Sequence, residues 1–322
     1  MSARFCCLLI ALVSLVLSGV HLLCIMRLHK TDSIDAKKAP LVVCTTSIIA
    51  DAVLNIAGSN VQLVCLMGSG VDPHSYHARE RDVHLLDQAD VVLYHGLHLE
   101  GKMGELFSAL ELQQGRRMVA VTRALDRRSL RASSFESIYD PHIWHDVMLW
   151  RNVVHEITTV LKEIDTEHAE LYQTSSDSYI KELDRLDDYI KDRFKSLPTE
   201  RRILVTAHDA FGYFGKAYGF QVVGLQGIST EAEVGMKDVQ RLITFLIENH
   251  VSAIFLESSV LPRALKAVQK GVFARGQEIR VIDELYSDSL GVPGIAASSY
   301  IGMMQHNVNT IFIALSDTLV EH

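Results

Sequence analysis

The chain has 322 residues, 48% of them apolar and 22% charged, a core-forming composition that excludes a disordered scaffold and leaves room for two ordinary domains. A formal net charge of −8 without a basic stripe excludes a nucleic-acid binder, because nothing in the chain would neutralise a run of phosphates.

The N-terminus differs from everything after it. Arg4 precedes an apolar run from Phe5 to Met26, broken only by Ser, Gly and one His, which reads as an export signal. The run is also long enough to span a bilayer, so an uncleaved anchor stays open, and Arg27, Lys30, Lys37 and Lys38 follow it. Leu23 stands before Cys24 where a lipidation site has a small residue, which argues against a lipid anchor. Of the 5 cysteines only Cys44 and Cys65 lie beyond this segment, and they read as free thiols rather than a disulfide framework.

Short β-branched runs then alternate with helical patterns: LVVCTT from Leu41, VQLVCLM from Val61, DVVLYHG from Asp90 and RMVAV from Arg117. The alternation resumes with RILVTAHD from Arg202, FQVVGLQ from Phe220, SAIFLES from Ser252 and EIRVIDEL from Glu278. Strands interleaved with helices predict parallel βαβ units. Between the two sets, Tyr172, Tyr179, Leu183, Leu186, Ile190 and Leu197 recur at helical spacing up to Pro198. From Glu167 to Ser196 this predicts one helix about 45 Å long at ~1.5 Å per residue, without Gly or Pro to bend it. The expected fold is therefore α/β, with two lobes, each with a four-stranded parallel sheet, joined by one long rigid helix. The divisions are residues 1–39 (signal or anchor and polar spacer), 40–166 (first lobe), 167–197 (connecting helix) and 198–322 (second lobe).

Asp-Pro-His-x-x-His occurs twice, as DPHSYH from Asp72 and DPHIWH from Asp140. Imidazole is the commonest side-chain ligand of transition metals, and Pro limits the backbone just before each first His. With 15 histidines in the chain one such pair means little, and two matching copies mean more. In parallel α/β sheets ligands bind beyond the carboxyl ends of the strands. Four residues stand at such ends: His74 after the second strand, His142 after the fourth, His208 at the end of RILVTAHD, and Asp288 in YSDSLG. From spacing alone either His of each pair, 74 or 77 and 142 or 145, remains a candidate. Three imidazoles and a carboxylate suit zinc, and accept manganese or ferrous iron.

The segments GVDPHSY, HGLHLEGKMGE, DPHIWHDV, LVTAHDAFGYFGKAYGF, GLQGIST, IFLESS and ELYSDSLG occur in that order. In this the chain resembles the metal-binding solute receptors of bacterial ABC importers, the TroA/ZnuA type (cluster A-I, solute-binding protein family 9), and most of all the TroA branch. The resemblance covers nearly the whole chain after the N-terminal segment. It implies that His74, His142, His208 and Asp288 hold one metal in the cleft between the lobes, with His77 and His145 as neighbours. It further implies a monomeric, exported, periplasmic receptor that hands its ion to an inner-membrane ABC permease and its ATPase. The zinc-dedicated branch often carries a His-rich loop in the first half, and residues 116–139 contain no His; the manganese branch tends to have Glu where this chain has His208. Zinc, manganese and iron therefore stay open, in that order.

Four further residues invite roles. Glu257 stands where it could fix the tautomer of His208, or be a capped loop carboxylate. Glu100 reads as a cap of the next helix, and Trp144 and Trp150 as packing residues. A metalloenzyme needs an open coordination position and a nearby base; a fourth protein ligand closes the shell here, and no HExxH appears. TTSIIAD after the first strand lacks the glycine-rich turn of a dinucleotide enzyme. A surface adhesin with a structural metal is the remaining alternative.

Overall fold

The computed structural model of the protein describes residues 38–112, 117–132 and 139–316. The expected export signal or anchor lies outside them. Among the described residues no helix is long and apolar enough to cross a membrane.

All eight anticipated strands form. In the first half β1 (Leu41–Thr46), β2 (Gln62–Met67), β3 (Val91–Tyr94) and β4 (Met118–Ala120) make one parallel sheet in the order β2-β1-β3-β4. β1 is central and buried from Val42 to Thr46, as an apolar strand covered on both faces must be. Cys44 pairs in register with Cys65, and both are free thiols. Helices α1 (Ser47–Ala57), α2 (Glu80–Gln88) and α3 (Gly104–Glu111) connect the strands. α4 (Val147–Ile164) leads to α5 (Ala169–Phe194).

In the second half β5 (Ile203–His208) pairs with β6 (Gln221–Gln226), and β7 (Ala253–Glu257) with β8 (Arg280–Leu285), all parallel. β5 lies beside β7, yet the two ladders are not joined by strand hydrogen bonds. Where they meet, the His208 amide donates to the Glu257 side chain (2.9 Å), and the β7–β8 register shifts between Phe255 and Glu257. Helices α6 (Gly212–Tyr218), α7 (Met236–Glu248), α8 (Arg263–Phe273) and α9 (Tyr300–Ser316) complete this half.

The long helix buries Tyr172, Tyr179, Leu183, Leu186, Ile190 and Phe194 and packs on α4, α1 and α9. It is a structural spine rather than a bare link. The core it joins is continuous, running from Val42 and Ile49 through Trp150 and Ile157 to Phe214, Tyr300 and Met304. Two smaller cores fill the outer sheet faces, one around Val92, Leu86 and Phe107, the other around Leu225, Leu242 and Val268. The carboxyl ends of β2, β5 and β8 lead to three of the donor candidates, which converge with His142.

Candidate metal centre

His208 and Asp288 sit at or just after a strand end and His74 in the turns after β2, whereas His142 stands well beyond β4, at the start of the short turn that leads into α4. In both Asp-Pro-His turns the Asp accepts the amide of the His two residues on: Asp72 Oδ1 from His74 (2.9 Å) and Asp140 Oδ1 from His142 (3.0 Å). This is the Asx-turn chemistry of Asp, and with Pro in the middle it holds each first imidazole on a stiff support. His208 ends β5, and Asp288 follows β8.

Tertiary folding brings these four together: one ligand atom from each of His74, His142, His208 and Asp288 lies within 4.8 Å of the others, and all four residues are buried. His74 Nε2 and His142 Nε2 are 3.2 Å apart, His142 Nε2 and Asp288 Oδ1 3.4 Å, and His208 Nε2 and Asp288 Oδ2 3.3 Å. Ligand atoms bound at ~2.0–2.1 Å to a tetrahedral zinc stand about 3.3–3.4 Å from one another, which these three separations match, while the four donors as a set lie within a looser 4.8 Å. His208 Nε2 and Asp288 Oδ1 are buried without a hydrogen-bond partner in the protein, as donor atoms aimed at a cation would be.

Two ligand candidates are backed by carboxylates. Asp140 Oδ1 lies 2.8 Å from His142 Nδ1, and Glu257 Oε2 lies 2.5 Å from His208 Nδ1. Asp140 thereby accepts the Nδ1–H of His142 and leaves its Nε2 lone pair facing the centre, whereas Glu257 lies against His208 Nδ1 as a charge contact outside hydrogen-bond geometry. The Glu257 pairing was legible in the sequence; that of Asp140 was missed, although the Asp of each DPH was the available signal.

The electrostatics divide the imidazoles. Burial alone would lower His142, but its hydrogen bond to Asp140 and the nearby Asp288 carboxylate prevail and hold it up at about 9. His208, also opposed by burial, is raised well above its ordinary value by Glu257 and Asp288. His74 hydrogen-bonds no carboxylate; burial, with the neighbouring His142 and His208, outweighs the charges of Asp288 and Asp72 and pulls it down to about 4. Burial would raise Asp288, but His208 and His142 hold it well below the usual carboxylate range. Ion-free, the centre thus holds protons on two imidazoles against its carboxylates; a divalent cation replaces two positive charges with two.

His77 is exposed and takes no part in the cluster. His145 is buried beside it, donating from Nε2 to the Ser287 carbonyl (3.1 Å) and stacking on Phe211 with ring centroids 4.3 Å apart. Trp144, as expected, packs, here against His142 and His95, and also donates Nε1–H to Ser287 O (2.7 Å). Trp150 is buried against Tyr300. The helix-cap role expected of Glu100 is not what forms. Its buried carboxylate reaches backwards, accepting from Thr45 Oγ1 (2.7 Å), the His95 amide (2.6 Å) and the Gly96 amide (3.2 Å). Those bonds pin a turn in which Gly96, Leu97 and His98 all have positive φ (85°, 53° and 63°), a strained run that needs such an anchor.

Comparison with known proteins bears directly on this geometry. Residues 42–314 match the family model of ZnuA, the periplasmic component A of zinc-uptake complexes. The chain belongs to the ZnuA family. It is 46% identical over 281 residues to the zinc-binding protein TroA of Treponema pallidum, covering 86% of this chain and 89% of that one. It is 42% identical over 274 residues to the manganese-binding lipoprotein MntA of Bacillus subtilis, covering 85% and 89%. Among solved structures, the periplasmic zinc-binding TroA of Treponema pallidum superposes with a TM-score of 0.83 at 45% identity, covering 86% of this chain and 99% of that one. Two lobes with a long helix are thus the architecture of a ZnuA-family protein, in agreement with the sequence reading.

Proposed function

We propose that the protein is the extracytoplasmic solute-binding component of an ATP-driven importer of a divalent transition metal. It captures one ion between its halves and delivers it to a membrane permease and its ATPase. The ligands are His74, His142, His208 and Asp288. The observation that carries this reading is the convergence of these four buried donors within 4.8 Å. Similarity to zinc- and manganese-binding relatives supports the same cargo class. The three-nitrogen, one-oxygen set favours zinc, then manganese, then iron. With four protein ligands closing the shell, the site suits binding and release rather than water activation, and the protein is a carrier rather than an enzyme.

The finer organisation completes the proposal. Residues 1–39 are an export signal or retained anchor with a spacer, residues 40–166 and 198–322 are the lobes, and residues 167–197 join them. The protein works in the periplasm as a monomer and binds no nucleic acid.

The test is metal stoichiometry and calorimetry on the purified protein. One zinc per chain is expected, with affinity lowered about 100-fold or more in His142→Ala and His208→Ala, since each opens the shell. His77→Ala should bind as wild type does. Equal losses from His74→Ala and His77→Ala would overturn the ligand set.

A further inference from the structure

Arg131 is a charged side chain that touches the carboxylate behind His142 and belongs to neither the ligands nor their carboxylates. Arg131, in the segment after β4, places Nη1 2.5 Å from Asp140 Oδ2. The other oxygen of Asp140 holds His142, at both its amide and its Nδ1. The buried carboxylate is thus divided between a guanidinium on one side and a ligand imidazole on the other.

The path of Arg131 to that position is built by the opposite half of the molecule. A Cβ added at Gly212, the first residue of α6, would lie 1.1 Å from Arg131 Nη1 and 2.0 Å from its Cζ. Only a residue without a side chain admits the guanidinium there. The next residue, Tyr213, continues the clamp: its hydroxyl accepts from the Arg131 amide and donates to the Asp140 carbonyl, each at 2.9 Å, and its ring lies 5.8 Å from the guanidinium carbon. The Asp140 amide in turn donates to the Arg131 carbonyl (2.9 Å). The other backing carboxylate, Glu257, forms no ion pair with Lys or Arg among the described residues.

We propose that Arg131 is a positioning residue for metal binding: threaded over Gly212, it holds Asp140 against His142 and so ties the orientation of that ligand to helix α6. A carboxylate with one oxygen fixed by a charged, directional donor has little freedom to rotate, and the imidazole bonded to its other oxygen shares that restraint. The assignment rests on the metal-carrier reading above and adds to it a residue that touches no metal.

The experiment measures zinc affinity, by competition with a chelator, of the full chain and its variants. Arg131→Gln and Gly212→Ala should each weaken zinc binding about tenfold, with Arg131→Lys intermediate. The Gly212 change meets only the far end of a flexible side chain, so it should shift the guanidinium and leave the fold standing; it keeps the test decisive should Arg131→Gln fold poorly. Added to Asp140→Asn, neither change should weaken binding further, because the link is already broken. Added to Glu257→Gln, both should multiply with it. Nitrogen NMR of the zinc-free protein should show the Nδ1–H signal of His142 perturbed in Arg131→Gln and Gly212→Ala alike. Wild-type affinity in both single variants, or losses that multiply with Asp140→Asn, would overturn the proposal. His142→Ala, measured alongside, separates the two levels: if it too binds zinc as wild type does, the site reading itself fails.

Discussion

The two Asp-Pro-His turns share a sequence motif, a place after a parallel strand and an Asx hydrogen bond, yet their surroundings differ. Asp140 is buried and spends its side chain on His142 and Arg131. Asp72 turns outward, taking the hydroxyls of Ser75 (2.8 Å) and, from the opposite half, Thr230 (2.6 Å). In consequence His142 is held up at about 9 while His74 is pulled down to about 4. The lesson is that a repeated motif fixes where an imidazole stands, and its environment decides how readily that imidazole takes a proton. On the proposed ligand set, the first turn supplies a neutral imidazole at physiological pH, and the second one whose loading is coupled to proton release.

The largest effect expected from this asymmetry is on pH dependence. On the proposed ligand set His142 and His208 must both lose a proton to bind metal, so zinc affinity should climb more steeply than about tenfold per pH unit between roughly pH 6.5 and 8.5, with the slope falling as His142 titrates at about 9. The ion-free fold should behave in the opposite sense. A group raised above its unfolded value stabilises fully below that value, about 6.5, and this contribution is lost as pH rises through about 9. Melting curves with and without zinc should therefore diverge as pH rises, and a constant gap across that window would contradict the assignment.

Cutting the carboxylates distinguishes the turns next. Asp140→Asn should lower zinc affinity about 10–100-fold and flatten its pH dependence, because it removes the partner that raises His142. Asp72→Asn, which keeps an Asx acceptor and has no imidazole nitrogen to serve, should cost no more than about threefold. Equal losses, read by calorimetry, would erase the distinction drawn between the turns.

The second histidines extend the comparison to stability. His145 is buried and packed on Phe211, so His145→Ala should destabilise the fold by roughly 2–4 kcal/mol, mainly through a cavity, since Trp144 still donates to the Ser287 carbonyl, with metal affinity little changed. His77→Ala, at an exposed position, should stay within about 0.5 kcal/mol. Denaturant titration of the ion-free variants measures both.

The smallest expected effect is on shape. The long helix packs along its length on α4, α1 and α9 and has no Gly or Pro, and one core runs through both halves. Loading should tighten the turns around His208 and Asp288 with almost no change in radius of gyration by small-angle scattering. A compaction of the size of a wide hinge closure would show that the spine bends.

Much of this was legible beforehand for a physical reason. Strand periodicity, helical spacing and the strand-end rule are properties of short stretches, so LVVCTT, RILVTAHD and the stripe from Tyr172 to Leu197 declared their elements on their own, and the strand ends nominated His74, His142, His208 and Asp288. The choice between the first and second His of each pair was not available from spacing, because residues three apart in a turn are equally placed until something covers one of them. Glu100 misled the reading in the same way: a carboxylate before a helix reads as its cap, and only the packing of β1 beside β3 brought Thr45 within its reach.

What the sequence by itself determined is the order of α/β units, the single long helix and the strand ends where donor candidates stand, with either His of each pair still open, since these follow from local pattern and chain direction. What only the tertiary structure decided is which imidazoles face one another at 3.2–3.4 Å from their neighbours, which carboxylate backs each, and that Gly212 opens a path for Arg131. Those are contacts between residues far apart in the chain. Their distances and proton affinities arise from burial and from charges that meet only when both halves have folded around the same groove.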